Sequence, residues 1–181
     1  MILENAASEE ANGWSTTADL DWDAIYANQA PRVYNYFRFR LGSNVDVEDL
    51  TSRTFEKAWR SRHRYRRDLA GFSTWLFKIA HNIGLDYLRS RRNHLPIDVA
   101  MDLPTGSTPD EEIARSSDLR RLAMLTRQLP ERERELVALK YGAGLTNRLI
   151  ARLTGMSESN VGTILHRTTK MLRTAWFEVG S

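Results

Sequence analysis

The sequence predicts an all-α protein of two small helical domains joined by a flexible acidic linker. Three observations carry that expectation. Apolar residues recur at three- and four-residue spacing through most of the chain, and no strand-period stretch runs longer than a few residues. Prolines and glycines punctuate the pattern where helices start and stop, at Gly42, Pro109, Pro130 and Gly155. Charge is segregated along the chain: Lys and Arg are dense from Arg53 to Arg92, every charged residue from Leu95 to Glu112 is acidic, and a second basic stretch follows. The net charge of +3 therefore conceals two basic modules, each suited to a polyanionic partner.

Residues 1–18 are polar and aperiodic and read as a disordered tail. The first domain spans 19–93. Trp22, Ile25, Tyr26, Val33, Tyr34, Phe37 and Leu41 recur at helical spacing, with Pro31 starting a second helix or kinking one, and Gly42 as the stop. In "SNVDVEDLTSRTFEKAWR", Val47, Leu50, Phe55, Ala58 and Trp59 fall near one face, and Asp46, Glu48 and Asp49 occupy the first turn, where the helix dipole favours acids. A third helix runs from about Ser73, its N-cap, to about Arg91.

The linker, 94–109, is the acidic Pro- and Gly-containing segment, and the second domain spans 110–178. Thr108, Pro109 and Glu111 form a capping-box start. Pro130 begins another helix, ended by the "GAG" at 142–144. Two helices follow, "TNRLIARLT" and "SESNVGTILHRTTKMLRTAWF", separated by Gly155-Met156-Ser157.

Bulk composition excludes several classes. The chain has no cysteine, so disulfides, thiolate metal sites and thiol nucleophiles are out, and a reducing compartment suits it. The N-terminus does not read as a signal peptide, and no apolar run approaches a membrane span. A cytoplasmic location is expected.

The last two helices have the helix-turn-helix pattern, whose second helix enters the major groove. With Val161, Ile164, Leu165, Thr168 and Leu172 inward, Ser159, Asn160, Thr163, His166, Arg167 and Lys170 are left outward: Asn160 and Arg167 suit bidentate contacts to base edges, Ser159 and Thr163 donate or accept, Lys170 and Arg173 suit phosphates, and His166 reads equally as a plain surface residue. An ordinary helical hairpin with a solvated face has the same periodicity; the glycine turn, Ser157 as cap and the basic exit favour DNA. In the third helix, Leu76, Ile79, Ala80, Ile83 and Tyr87 form a core stripe. Trp75, Lys78, Asn82, Asp86 and Arg89 share another face, and Phe77 belongs to either. A large aromatic beside Lys, Asn and Arg is poorly explained by burial and fits stacking on an unpaired base.

"VEDLTSRTFEKAWR", "FSTWLFKIAHNIGLDYLRSRR" and "LPERERELVALKYGAGLTNRLIARLTGMSESNVGTILHRTTKMLR" resemble the region 2 and region 4 blocks of bacterial sigma factors, in the short form of the extracytoplasmic-function group of the sigma-70 family. The resemblance covers most of residues 20–175. It implies a promoter-specificity subunit of RNA polymerase, with no cofactor, metal or catalytic residue of its own. Core polymerase would be bound through the helix bearing Asp46, Glu48, Asp49, Leu50, Thr54 and Phe55. The melted non-template strand at the minus-10 element would meet Arg62, Arg64, Tyr65, Arg66, Phe72, Ser73, Trp75, Lys78, Asn82 and Arg89. The duplex at minus-35 would meet Ser159, Asn160, Thr163, His166, Arg167, Lys170 and Arg173. Many members of the group are also held by an anti-sigma factor. The chain departs from the family at Leu149, where a Glu is usual, and at Gly162 and Ile164, where basic residues are usual, so minus-35 binding is expected to be weaker or differently specified.

Two other functions compete. A stand-alone helix-turn-helix regulator accounts for the C-terminal half but leaves Phe72, Trp75 and the acidic start at 46–49 unexplained. An enzyme using Asp46, Glu48 and Asp49 as a metal site, or His63 or His81 as a base, lacks any supporting motif, because acids at a helix start are ordinary dipole chemistry.

Overall fold

The computed structural model describes residues 21–42, 46–66, 68, 70–94, 121–122 and 124–178. The tail over 1–18, the acidic linker from residue 95 and the capping box at Thr108–Glu111 lie outside the described residues. Among those described there is no strand. The helices described over their whole length are α1 (Trp22–Leu41), α2 (Val47–Arg60), α3 (Phe72–His94), α4 (Glu131–Val137), α5 (Asn147–Thr154) and α6 (Glu158–Glu178), with a 3-10 turn at Arg62–Arg64 and a π turn at Ala138–Gly142; residues 121–122 and 124–127 are helical as well.

Helix α1 starts where Asp21 Oδ1 accepts the Ala24 N–H at 3.0 Å and stops at Gly42, whose left-handed φ of 66° suits a residue without Cβ. Pro31 neither starts nor divides it: the helix is one element with Pro31 inside. The proline side is exposed, so the Ala27 carbonyl that loses its N–H donor can be hydrated instead. The opposite stripe, Val33, Tyr36, Phe37 and Leu41, is buried.

In α2 the buried set is Val47, Leu50, Thr51, Thr54, Phe55 and Ala58. Two buried threonines are tolerable because each hydroxyl donates back one turn, Thr51 to the Val47 carbonyl and Thr54 to that of Leu50, both at 2.7 Å. Trp59, expected on this core face, is 47% exposed. Helix α3 buries Leu76, Phe77, Ile79, Ala80 and Ile83, which places Phe77 in the core.

The predicted helix from Pro130 divides into α4 and the π turn. Gly142 shows what the turn accomplishes: a Cβ there would stand 2.8 Å from the Asn35 carbonyl oxygen and 3.0 Å from the Tyr36 Cα, so only glycine lets the two backbones approach so closely. Helix α5 is capped by Thr146 and ends at Gly155, with φ 72°, before α6. Ser157 caps α6 by accepting the Asn160 N–H at 3.2 Å. The buried apolar residues of both halves form one continuous cluster, from Val33 and Leu50 through Leu136 and Leu139 to Ile150 and Leu165. Each such side chain contributes roughly 1.5–3 kcal/mol of transfer free energy.

Candidate nucleic-acid interface

Five aromatic rings gather around the place where the α2–α3 connection meets α3. Tyr65 lies 5.5 Å from Phe72 and 5.3 Å from Trp75, and Phe72 and Trp75 are 5.4 Å apart, centroid to centroid. Trp22, from the first turn of α1, joins them at 5.9 Å from Phe72 and reaches Trp59 at 5.0 Å, edge-on. All of these rings but the exposed Trp59 are partly buried, so the cluster is at once a joint between α1, α2 and α3 and a half-open aromatic wall. Sequence reasoning found Tyr65, Phe72 and Trp75 but missed Trp22 and Trp59. Periodicity places Trp59 on the core face, and nothing near Trp22 in the chain signals a contact 50 residues away.

The segment that carries Tyr65 and the helix that carries Trp75 are also rich in cations. Arg62 lies over the Trp59 ring at 4.1 Å and donates to the Trp59 carbonyl at 2.8 Å. Arg64 is exposed, and Arg66 makes a two-bond pair with Asp68 at 2.9 and 2.7 Å on the open surface, where such pairs contribute about 0–1 kcal/mol and exchange easily for another anion. Ser73 is half-buried inside the first turn of α3 rather than ahead of it. Lys78, Asn82 and Arg89 are exposed along one side of α3, as the sequence predicts, with Arg89 3.8 Å from Asp86. Lys78 Nζ also donates to the Leu153 carbonyl, 3.5 Å away at the end of α5.

At the second surface, Val161, Leu165 and Thr168 turn α6 inward, and Ser159, Asn160, Thr163, His166, Arg167, Lys170 and Arg173 are all exposed. Two of them are already engaged. Thr163 donates back to the Ser159 carbonyl at 3.0 Å, and Arg167 pairs with Glu133 of α4 at 2.8 Å, a carboxylate that also accepts from Thr168 at 3.1 Å. The Arg167 side chain is still 71% exposed. Leu149 and Ile164 pack against the core, which accounts for apolar residues at those positions.

The start of α2 is divided. Glu48 and Asp49 are exposed, the latter 3.7 Å from Arg53. Asp46 accepts a hydrogen bond from the Tyr87 hydroxyl, tying α2 to α3, and burial together with that bond pushes the Tyr87 phenol up. Leu50 and Thr54 are fully buried and Phe55 nearly so, its ring 4.7 Å from that of Tyr26. These three build the helix's underside and do not present themselves to a partner in this arrangement. Among the described residues no three His, Asp or Glu side chains gather as metal ligands. His81 Nδ1 lies 2.6 Å from Glu135 Oε1, both largely buried. No helix among the described residues is long and apolar enough to cross a membrane.

Comparison with known proteins gives these surfaces a family. Residues 25–94 match the sigma-70 region 2 model and residues 119–172 the sigma-70 region 4 model. The RNA polymerase sigma factor CarQ of Myxococcus xanthus is 32% identical, over 84% of this chain and 87% of that protein. The extracytoplasmic-function sigma factor BldN of Streptomyces coelicolor is 27% identical over 94% of this chain, which spans 63% of its length. Among solved structures, the sigma factor RpoE of Bartonella quintana, in complex with the anti-sigma factor NepR, shares the fold with a TM-score of 0.68 at 19% identity, over 85% of this chain and 95% of that one. Two region-specific matches in order, with a relative above 30% identity along nearly its whole length, establish that the chain is an alternative sigma factor of the extracytoplasmic-function group of the sigma-70 family.

Proposed function

We propose that this chain binds core RNA polymerase through the exposed acids at the start of α2, grips minus-35 duplex with the outer face of α6, and holds the melted minus-10 non-template strand on the aromatic wall beside α3. The observation that carries the proposal is the half-open cluster of Tyr65, Phe72 and Trp75, in a chain segment that also carries Arg62, Arg64 and Arg66 and leads into the exposed Lys78, Asn82 and Arg89 of α3. Rings at the edge of a cationic surface are what a single strand needs, and a duplex reader does not need them.

Opening a duplex costs on the order of 1–2 kcal/mol per base-pair step. Stacking one freed base on a ring returns roughly 1–3 kcal/mol, so a few rings and phosphate contacts hold a short bubble without nucleotide hydrolysis. The chain then acts by capture and needs no catalytic group of its own. Glu48 and Asp49 are the acids placed to meet polymerase, with Asp46 fixed to Tyr87 and Leu50, Thr54 and Phe55 supporting the helix from beneath. On α6, Asn160 and Arg167 have the bidentate chemistry for base edges and Lys170 and Arg173 the charge for phosphates. A cytoplasmic location follows from the polymerase partner, and an anti-sigma factor is a candidate regulator, as NepR is the partner in the RpoE complex.

The test is run-off transcription with purified core polymerase on sheared genomic DNA. Promoter-dependent transcripts are expected. If none start on any fragment while the chain alone protects duplex DNA tightly, the stand-alone regulator takes its place.

A further inference from the structure

Helices α1 and α2 are joined along one seam by two ring pairs a turn apart. Tyr26 meets Phe55 at 4.7 Å and Trp22 meets Trp59 at 5.0 Å, both edge-on. The two α2 rings differ in what surrounds them. Phe55 is 8% exposed, as a ring that only holds helices together should be, whereas Trp59 is 47% exposed. Packing on Trp22 therefore accounts for part of the indole, and the rest stands in water beside Arg62, whose guanidinium lies 4.1 Å from the ring centroid.

The exposed ring is continuous with the aromatic wall. Trp59, Trp22, Phe72 and Trp75 follow one another at centroid distances of 5.0, 5.9 and 5.4 Å, so the aromatic surface runs on from the start of α3 to the end of α2. Positive charge runs on along the same stretch of chain: residues 57–66 carry five Lys and Arg and no acid. Arg62 donates to the Trp59 carbonyl at 2.8 Å, and because a guanidinium has five N–H donors, others remain to meet a backbone phosphate. A half-exposed indole with a cation fixed over it, in a basic segment, has the chemistry for an unpaired base and its phosphate. A duplex keeps its base faces stacked on one another and cannot use the ring.

We propose that Trp59, presented by Trp22 and flanked by Arg62, is a second base-stacking station, which takes a nucleotide of the melted non-template strand other than the one held at Trp75. This rests on the reading of the Trp75 wall as the strand site. The test combines abasic scanning of the non-template strand with variants of the full chain assembled into holoenzyme, and it reads open-complex lifetime after heparin challenge on a promoter recovered by run-off transcription. In the wild type, removing the base held by Trp59 should shorten the lifetime about 5-fold or more. Trp59→Ala should do the same on the intact strand and add nothing at that abasic position, while abasic sites elsewhere keep their full effect. Trp75→Ala should become insensitive at a different position. Trp59→Phe keeps a π face and should retain the coupling, and Trp59→Leu keeps an apolar contact for Trp22 and should lose it. Circular dichroism confirms that each variant is folded, and the comparison of Phe with Leu carries the test if the alanine variant is not. A loss on Trp59→Ala that is equal at every abasic position, a Leu variant as long-lived as the wild type, or coupling of both tryptophans to one position would each overturn the second station. Position-specific coupling at Trp75 with none at Trp59 sinks only this inference. Absence of coupling at both, or a holoenzyme that opens no promoter, sinks the strand reading together with it.

Discussion

Trp75→Ala separates base capture from scaffolding. Trp75 touches Tyr65 and Phe72 at centroid distances of 5.3 and 5.4 Å, and each such aromatic pair contributes roughly 0.5–1.5 kcal/mol, so truncation costs region 2 about 1–3 kcal/mol of stability. If the ring also stacks a freed base, a further 1–3 kcal/mol is lost from the open complex, which is about a 5- to 150-fold drop in its population. The assay is open-complex formation by permanganate footprinting at saturating sigma, where modest instability is compensated by excess protein. Duplex and pre-melted templates are compared, since the pre-melted one removes the cost of opening. The variant should lose open complex on duplex by the full factor and far less on the bubble, and Trp75→Phe should restore part of the loss. Equal losses on both templates, matched by a fall in melting temperature and unrescued by Phe, would mean that Trp75 is only part of the joint.

On α6, Arg167→Ala should relax sequence preference at minus-35, whereas Lys170→Ala should lower affinity uniformly and reduce the salt slope by about 1. Selection from a randomised minus-35 library reads the first and salt-dependent binding the second. Because Glu133 holds Arg167 at 2.8 Å, Glu133→Gln should tighten minus-35 binding severalfold; unchanged affinity would show that Arg167 leaves its partner at no cost. Asp49→Ala should weaken holoenzyme assembly on core polymerase while leaving strand capture in assembled complexes intact, as competition against the unmodified chain would report. For pH, the depressed carboxyl of Glu135 contributes stability that is complete above the ordinary Glu range near 4.3 and is lost as pH falls through its lowered value. It faces Arg40 and Tyr36 from α1 and His81 from α3, with Arg132 of its own helix lining the adjacent cavity. Acid should therefore loosen the packed state below about pH 4, and Glu135→Gln should flatten that limb of a urea midpoint against pH curve.

Local rules decided much of this molecule. Asp21 and Gly42 bound α1, Ser157 caps α6, and a three-to-four spacing of apolar residues put Leu76, Ile79, Val161 and Leu165 inside, because each depends only on neighbours within a turn or two. The outward face of α6 followed as the complement of its apolar stripe, and the cationic side of α3 likewise. Where two effects of similar size compete, periodicity could not choose: Trp59 at the end of α2 has a helical phase that points to the core, yet it stands against Trp22 and under Arg62 at the surface. Pro31 likewise signals a break that never comes, since its exposed side lets water take the orphaned carbonyl while the buried stripe holds the helix together.

What the sequence alone determined is the helical character of the described residues, the helix ends at Gly42 and Gly155, the outward faces of α3 and α6 and, through its motif blocks, the resemblance to sigma factors. Only the tertiary structure decided which distant residues meet. Trp22 joining Phe72, Tyr87 holding Asp46, Glu133 holding Arg167 and Glu135 bridging Arg40 to His81 are contacts between residues far apart in the chain. Such pairings are set by how whole helices dock, and docking depends on the summed shape of buried surfaces, as where Gly142 lets one backbone lie against another.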